Sequence, residues 1–376
     1  MSQADRVALL RQGARLPELD GIRGVAILLI LFLHWFVIPI EPLLREWSPR
    51  LCALADFAWC GVDLFFVLSG FLIAGILLDH RDSPNLFRTF YARRACRILP
   101  AYLVLLLLVT IPIGGPPRIS QGQVPLAAYL LFLQNFWSAA GAQVAFVLGP
   151  CWSLAIEEQF YLALPLLLLR IFRGRFASFA TVMLVAPPLL RCLYLANGPW
   201  SAWDFTPCRI DAPFWGVAAA VVVRDPAAVA FLNRRRRELG WVAGFGLIGV
   251  VALSQLVLLP AGKNLLISIG LSVVGSAFAV ALLAIVLSPD SLTARLMRLK
   301  PLGWVGKRSY FLYLFHLLVF FSLPIASFAA HLAASAGLLG ALAAISWRWV
   351  EQPFLRLGAT VRYGAPGLAS PAPGAG

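Results

Sequence analysis

The chain has 376 residues, 60% of them hydrophobic and only 13% charged, where an ordinary soluble domain carries roughly a quarter charged residues. So little charge cannot cover a soluble surface of this size, and lipid must solvate much of the chain. The formal net charge of +14 is gathered in short segments between apolar runs, as the positive-inside rule produces, which leaves no aromatic-interleaved basic face for nucleic acid.

The polar-rich start is followed by an apolar run with no small-residue cleavage site, so residues 22–41 read as a retained first span rather than a signal peptide. This span is entered through Leu19-Asp20-Gly21-Ile22-Arg23-Gly24 and carries His34. Asp20 and Arg23 are three apart and can pair on one face. Arg23 and His34 are eleven apart, close to three helical turns, so they share a face at ~16 Å along the axis. A charge at mid-bilayer costs roughly 2.5–3.5 kcal/mol, so a stripe running from a cation to a titratable imidazole points to function. The bland alternative is an end-of-helix ion pair with one hydrogen-bonded histidine.

Spans at 60–78 and 98–114 follow, joined by a segment carrying Arg88, Arg93, Arg94 and Arg97. Arg93 and Arg97 are one helical turn apart and would make a two-pronged phosphate site. Topology alone, or contact with anionic head groups, is the alternative.

The next apolar stretch, 123–140, decides the parity. If it crossed, the basic segments 170–175, 224–238 and 289–308 would all lie outside. If 123–152 instead enters and leaves by the outer face, all three return to the cytoplasm. Gln134, Asn135 and the Gly149-Pro150 break suit such a broken or re-entrant element. The expected fold is therefore all-α: a polytopic transmembrane helix bundle of about ten crossings plus one re-entrant segment, with both termini cytoplasmic. Residues 1–356 form the membrane domain, and 357–376, rich in Gly, Ala and Pro, read as a disordered tail. The connecting loops leave no room for a soluble catalytic domain.

The span at 153–170 opens with Cys151-Trp152-Ser153-Leu154-Ala155-Ile156-Glu157-Glu158-Gln159-Phe160-Tyr161. Ser153, Glu157 and Tyr161 share a helical face, while Glu158 points about 100° away. Further spans fall at 176–196, 211–223, 239–260, 264–288, 309–329 and 331–349. Tyr310, Tyr313 and His316 step by three along one stripe of the span at 309–329. Asp63, Arg209 with Asp211, and Arg348 with Glu351 read as structural pairs. The four histidines are too dispersed for a metal site, and six cysteines without a C-x-x-C pair predict neither a disulfide framework nor a zinc knuckle.

In order along residues 15–356, these segments resemble the acyltransferase-3 family of bacterial integral membrane acyltransferases. The matching pieces are Leu-Asp-Gly-Ile-Arg-Gly with the spacing of Arg23 to His34, Gly61-Val62-Asp63-Leu64-Phe65-Phe66-Val67-Leu68-Ser69-Gly70-Phe71-Leu72, the Arg93, Arg94, Arg97 run ending at Pro100, Trp152 to Tyr161, Ser309 to His316, and Glu351-Gln352-Pro353-Phe354. The resemblance implies ten core helices in a bacterial inner membrane. It also implies O-acylation, often acetylation from acetyl-CoA, of a hydroxyl on a carbohydrate, surface glycan, lipid or natural product. Relatives sometimes carry an extracytoplasmic hydrolase-like domain, and a chain ending after its last span would complete transfer within the membrane domain.

On this reading Arg23, Arg93 and Arg97 hold the phosphates of acyl-CoA, which is a donor substrate and not a bound cofactor. His34 is the general base, or accepts the acyl group transiently. Glu157 orients the acceptor or the histidine, and Asp20 fixes Arg23. Ser153, Tyr313 and His316 complete the expected substrate-binding set. The rival readings are a transporter or flippase, which commonly shows internal repeats not visible here, and a membrane scaffold or sensor.

Overall fold

The computed structural model describes residues 16–112, 118–171, 175–195 and 202–364, and these are helical, with no strand among them. Helix α1 (Pro17–Phe32) has proline in its first turn, where the missing N–H costs nothing, and Glu18 and Asp20 complement its dipole there. Glu18, buried, is paired with Arg298 at 2.7 Å. The helix continues through a π turn, Leu33–Val37, into Ile38–Trp47, and the Ile38 N–H reaches back to the Leu33 carbonyl. Pro39 has no N–H to extend a regular ladder, which favours the widened turn just before it.

The other long elements are α2 (Gly61–Asp79), α3 (Leu86–Thr110), α4 (Cys151–Leu166), α5 (Phe176–Tyr194), α6 (Asp211–Val222), α7 (Arg236–Leu253), α8 (Leu271–Leu287), α9 (Lys300–Lys307), α10 (Ser309–Phe320), α11 (Phe328–Ser346) and α12 (Gln352–Thr360). Among the described residues, seven helices are long and apolar enough to cross a membrane. The count is eight if α6 and the helix Pro226–Arg234, which meet at 92°, form one span. Leu107, Leu162, Leu193, Phe245 and Ile248 are exposed on these helices, as a lipid-facing surface requires.

Two interfaces fix the bundle by bringing backbones into contact. A Cβ at Gly70 of α2 would lie 1.8 Å from the Pro213 carbonyl oxygen, and one at Gly216 of α6 would lie 1.9 Å from that of Val67. A Cβ at Gly306 of α9 would lie 1.7 Å from the Asp20 carbonyl oxygen, and one at Gly21 of α1 1.9 Å from that of Met297. Only glycine permits either approach, the usual route to close packing where lipid offers no hydrophobic drive. Gly21 belongs to the Leu-Asp-Gly-Ile-Arg-Gly motif, so part of that motif serves packing.

Between α3 and α4 the described chain holds only short pieces, the helices Leu126–Leu130 and Gln134–Ala139 and the 3-10 turns Arg118–Gln121 and Phe146–Leu148, none long enough to cross. Its polar residues form a clip: Asn135 donates to the Asp204 carbonyl at 3.0 Å and to the Thr206 hydroxyl at 2.8 Å. Gln159 of α4 donates to Asn135 at 2.9 Å.

The buried ion pairs differ from those expected. Arg209 pairs with Asp63 at 3.0 Å, and Asp211 takes Arg191 in a two-pronged bond at 3.0 Å on each prong. Arg209 and Asp211 are two residues apart in a helical stretch and point different ways, so each finds a partner on another helix. Arg348 lies over the Trp349 ring instead of pairing with Glu351, which accepts a bond from Ser346 at 3.4 Å. The π turn Trp347–Glu351 takes the two off a common face.

Helix α12 runs to Thr360, past the boundary expected at 356. Residues 361–364 then lie against the start of α3. Arg93 donates to the Val361 carbonyl at 2.9 Å, Asn85 to that of Arg362 at 2.9 Å, and His80 stacks on Tyr363 with centroids 3.9 Å apart. The rest of the Gly-, Ala- and Pro-rich tail lies outside the described residues.

Candidate active site

Four helices, α1, α2, α4 and α10, enclose two cavities placed one above the other. The smaller, about 90 Å³, is lined by Arg23, Arg94, Arg97, Ser69, Glu157 and Tyr310, among others. The larger, about 680 Å³, is lined by His34, Trp59, Trp152, Trp203 and Leu317 among others. Each helix contributes to both: Arg23 then His34 on α1, Ser69 and Val62 on α2, Glu157 and Trp152 on α4, Tyr310 and Leu317 on α10. Val62 and Tyr313 line both cavities, so the junction is there.

The smaller cavity is cationic. Arg23 leans on Asp20 at 3.4 Å, which is the pair expected from their spacing. Of the α3 arginines, Arg94 and Arg97 line the cavity, while Arg93 turns to the Val361 carbonyl and lies over the Tyr363 ring. Arg94 was legible as an inward residue: it falls four after buried Phe90 and four before buried Ile98. Opposite stands the α4 face of Ser153, Glu157 and Tyr161, as the four-residue spacing predicts. Ser69 donates to Glu157 at 2.8 Å and meets the Tyr161 hydroxyl at 2.8 Å. Glu157 therefore belongs with the arginines, in a different cavity from His34.

At the junction the Tyr313 hydroxyl donates to the Pro150 carbonyl at 2.8 Å and lies 2.6 Å from the Ser153 hydroxyl. The Pro150 carbonyl, just before α4, thus anchors both hydroxyls and also takes the Ser153 backbone N–H at 3.3 Å.

On the far side of Tyr313 stands His34. Its Nδ1–H donates to the Ile30 carbonyl at 2.9 Å, which leaves the proton-accepting lone pair on Nε2. His316 of α10, fully buried, packs its ring against His34 with centroids 4.9 Å apart, and its own Nδ1–H donates to the Tyr313 carbonyl at 2.7 Å. A neutral imidazole with one nitrogen fixed and the other free is the arrangement a general base needs. The mouth of this cavity carries Glu41, Arg45 and Asp56. Ligand atoms of Glu41, Cys52 and Asp56 come within 4.8 Å of one another, but Arg45 bonds Glu41 and approaches Asp56 to 3.9 Å, so the carboxylates serve an ion pair.

Sequence reasoning missed the indoles of Trp59 and Trp203, which lie in segments it gave no role, and it missed Ser69.

Comparison with known proteins bears on the family of the chain. A family model described as an acyltransferase domain matches residues 16–350. O-acetyltransferase OatA of Staphylococcus aureus strain NCTC 8325, and the same protein of strain COL, are 28% identical over 368 residues, covering 91% of this chain and 58% of theirs. A further relative from strain COL, provisionally named an O-acetyltransferase, is 29% identical over 328 residues, covering 81% of this chain and 50% of its own length. The chain thus spans little more than half the length of these relatives. No solved structure matches it. A chain with helices and no strand among its described residues, carrying that family's motifs in order and matched by its model over nearly all of its length, belongs to the acyltransferase-3 family.

Proposed function

We propose that this chain is a membrane-embedded O-acyltransferase that moves an acetyl group from acetyl-CoA to a hydroxyl of a carbohydrate or glycolipid on the other side of the membrane. The observation that carries it is the pair of cavities meeting at Tyr313, one lined by three arginines and the other bearing a histidine with a free Nε2. Relatives named O-acetyltransferases support acetyl as the group.

Adding α3 and α10 to the spans and the bent pair gives ten crossings of a bacterial plasma membrane, with both termini inside. The small cavity then faces the cytoplasm, where CoA is found, and the large one the outside. Arg23, Arg94 and Arg97 take the CoA phosphates by charge-assisted bonds. Ser69, Glu157 and Tyr161 line the passage of the pantetheine arm, whose amides need donors and acceptors. The thioester arrives at Tyr313.

His34 Nε2 then accepts the proton of the acceptor hydroxyl as its oxygen attacks the thioester carbonyl. The Ser153 hydroxyl swings its one proton onto the developing oxyanion and accepts in turn from Tyr313, whose proton leaves the Pro150 carbonyl. The carbon–sulfur bond breaks, the ester forms, and the imidazolium returns the proton to the thiolate, giving CoA and an acetylated acceptor.

Membranes bearing wild type or His34→Ala at matched levels, supplied with labelled acetyl-CoA, test the reading. Label in a glycan or lipid fraction with wild type alone supports it. Label carried unchanged by His34→Ala refutes the role of the histidine, and no label with either protein favours a transporter.

A further inference from the structure

We infer that Trp59, Trp152 and Trp203 form a wall of the outer cavity that seats the apolar face of a pyranose ring, and that the buried Arg209–Asp63 pair holds this wall in position. That the ligand is an acceptor rests on the proposed transfer; the binding site itself stands on geometry.

The rings of Trp59 and Trp203 meet edge to face with centroids 4.8 Å apart, and Trp152 lies 6.3 Å from Trp203. All three line the cavity. Behind them Arg209 is 1% exposed, its guanidinium carbon 5.0 Å from the Trp203 centroid, 5.7 Å from that of Trp152 and 5.8 Å from that of Phe66. Its ion pair with Asp63 uses one nitrogen, and Nε and Nη1 have no hydrogen-bond partner. A buried guanidinium left so incompletely bonded is costly, and the ring faces around it are what offset the charge. The Asn135 clip holds the loop that carries Trp203. The wall is therefore tied from behind and from the side, which a merely filled surface does not require.

Three ligand classes suit indole surfaces. A quaternary ammonium is disfavoured, because Arg209 already places a cation against two of the rings, and like charges repel. An acyl tail would make no use of Glu41, Arg45 and Asp56 at the mouth. A pyranose uses both features, its C–H face lying on an indole and its equatorial hydroxyls reaching charged groups. The volume of about 680 Å³ holds such a ring with the neighbouring part of a longer chain.

The test uses the full chain in lipid nanodiscs without acyl donor, titrated with methyl pyranosides (a neutral hexoside, an N-acetylhexosaminide and a hexuronide) and read by saturation-transfer NMR. At least one pyranoside should bind saturably, with the protons of one ring face receiving most transfer. Affinity should fall about tenfold in Trp59→Ala and in Trp203→Ala, and stay within about threefold in Trp59→Phe and Trp203→Phe. Arg209→Lys, which keeps the charge but loses the planar stack, should weaken binding as well.

Binding by none of the pyranosides, unchanged affinity in both alanine variants, or displacement by choline or octanol would each overturn the inference. The binding test contains no donor, so pyranoside binding here together with no label transferred in the separate acetyl-CoA assay would remove the transfer reading and leave the wall standing. Full transfer by both alanine variants at an unchanged acceptor KM would remove the wall and leave the transfer reading.

Discussion

The imidazoles of His34 and His316 meet edge to face, 67° between planes and 4.9 Å between centroids, on helices from opposite ends of the chain. His316 is fully buried, its Nδ1–H is committed to the Tyr313 carbonyl, and its Nε2 has no hydrogen-bond partner. Its position makes it the support on which the base rests. We expect His34→Ala to lower acetyl transfer by roughly 10²–10⁴, the range for losing a general base. His316→Phe, which preserves the ring contact, should cost less than His316→Ala. Rates in membranes with matched protein levels check both, and equal losses in the two His316 variants would show that the ring contact is irrelevant.

The α3 arginines should separate cleanly. Arg94→Ala and Arg97→Ala remove donors from the inner cavity and should raise the KM for acetyl-CoA by about tenfold to a hundredfold, since a bond to a charged group is worth about 1.5–3 kcal/mol. Arg93→Ala should leave that KM unchanged and instead loosen residues 361–364. Donor titrations and limited proteolysis of the C-terminus read the two effects.

Arg191 and Asp211 form the most completely bonded buried pair. Arg191 also donates to the Ser268 carbonyl at 3.0 Å, and Ser272 donates to Asp211. Removing one partner leaves a buried charge alone, so Asp211→Ala should cost about 3–5 kcal/mol. Asp211→Asn should cost less. Thermal aggregation of the detergent-solubilised protein orders them.

Burial in the loop before α6 pushes the Asp204 carboxyl up to about 6, against the bonds that favour its ionised form. The folded state therefore holds this proton more tightly than an unfolded chain, where the value is about 3.9. The resulting stability is complete below that lower value and is lost as pH rises through 6. Asp204→Asn should flatten the fall of the thermal midpoint between pH 4 and 7; a wild-type profile that rises over this window would contradict the assignment.

Gly216→Leu should prevent assembly, because a Cβ there meets backbone and cannot be accommodated by a rotamer change. Gly240→Leu, where a Cβ would meet nothing within 4 Å, should be tolerated. Yield after detergent extraction distinguishes the two.

Much of this architecture is written in short-range pattern. The Asp20–Arg23 pair and the α4 face of Ser153, Glu157 and Tyr161 follow from helical spacing and take their expected places. Among the described residues, seven of the apolar runs form helices long enough to span, while the run expected at 309–329 is helical only to Phe320. What the spacing cannot supply is partner choice between helices. Arg93 and Arg94 are equivalent as charges, and only the rotation of α3 and the docking of residues 361–364 decide which one faces the cavity. Asp211 lies two residues from Arg209 in the chain, yet its partner arrives from α5. The stripe of Arg23 and His34 is real along α1, but Tyr313 divides it between two chambers, because α10 inserts at a depth no single helix reveals.

The π turn at Leu33–Val37 has a consequence for how the chain tolerates change in length. A turn closed by a five-residue step holds one residue more than the regular helix around it. Five residues on the wider turn and four on a regular one sweep nearly the same angle, so deleting one residue after His34 would let the helix relax to ordinary geometry with everything beyond it almost unrotated. His34 would keep its register with Arg23, and Glu41 and Arg45 would stay at the outer mouth. Single-residue deletions late in this turn should thus be unusually well tolerated, whereas the same deletion in the regular helix between Arg23 and His34 would turn the imidazole by about 100° relative to the guanidinium.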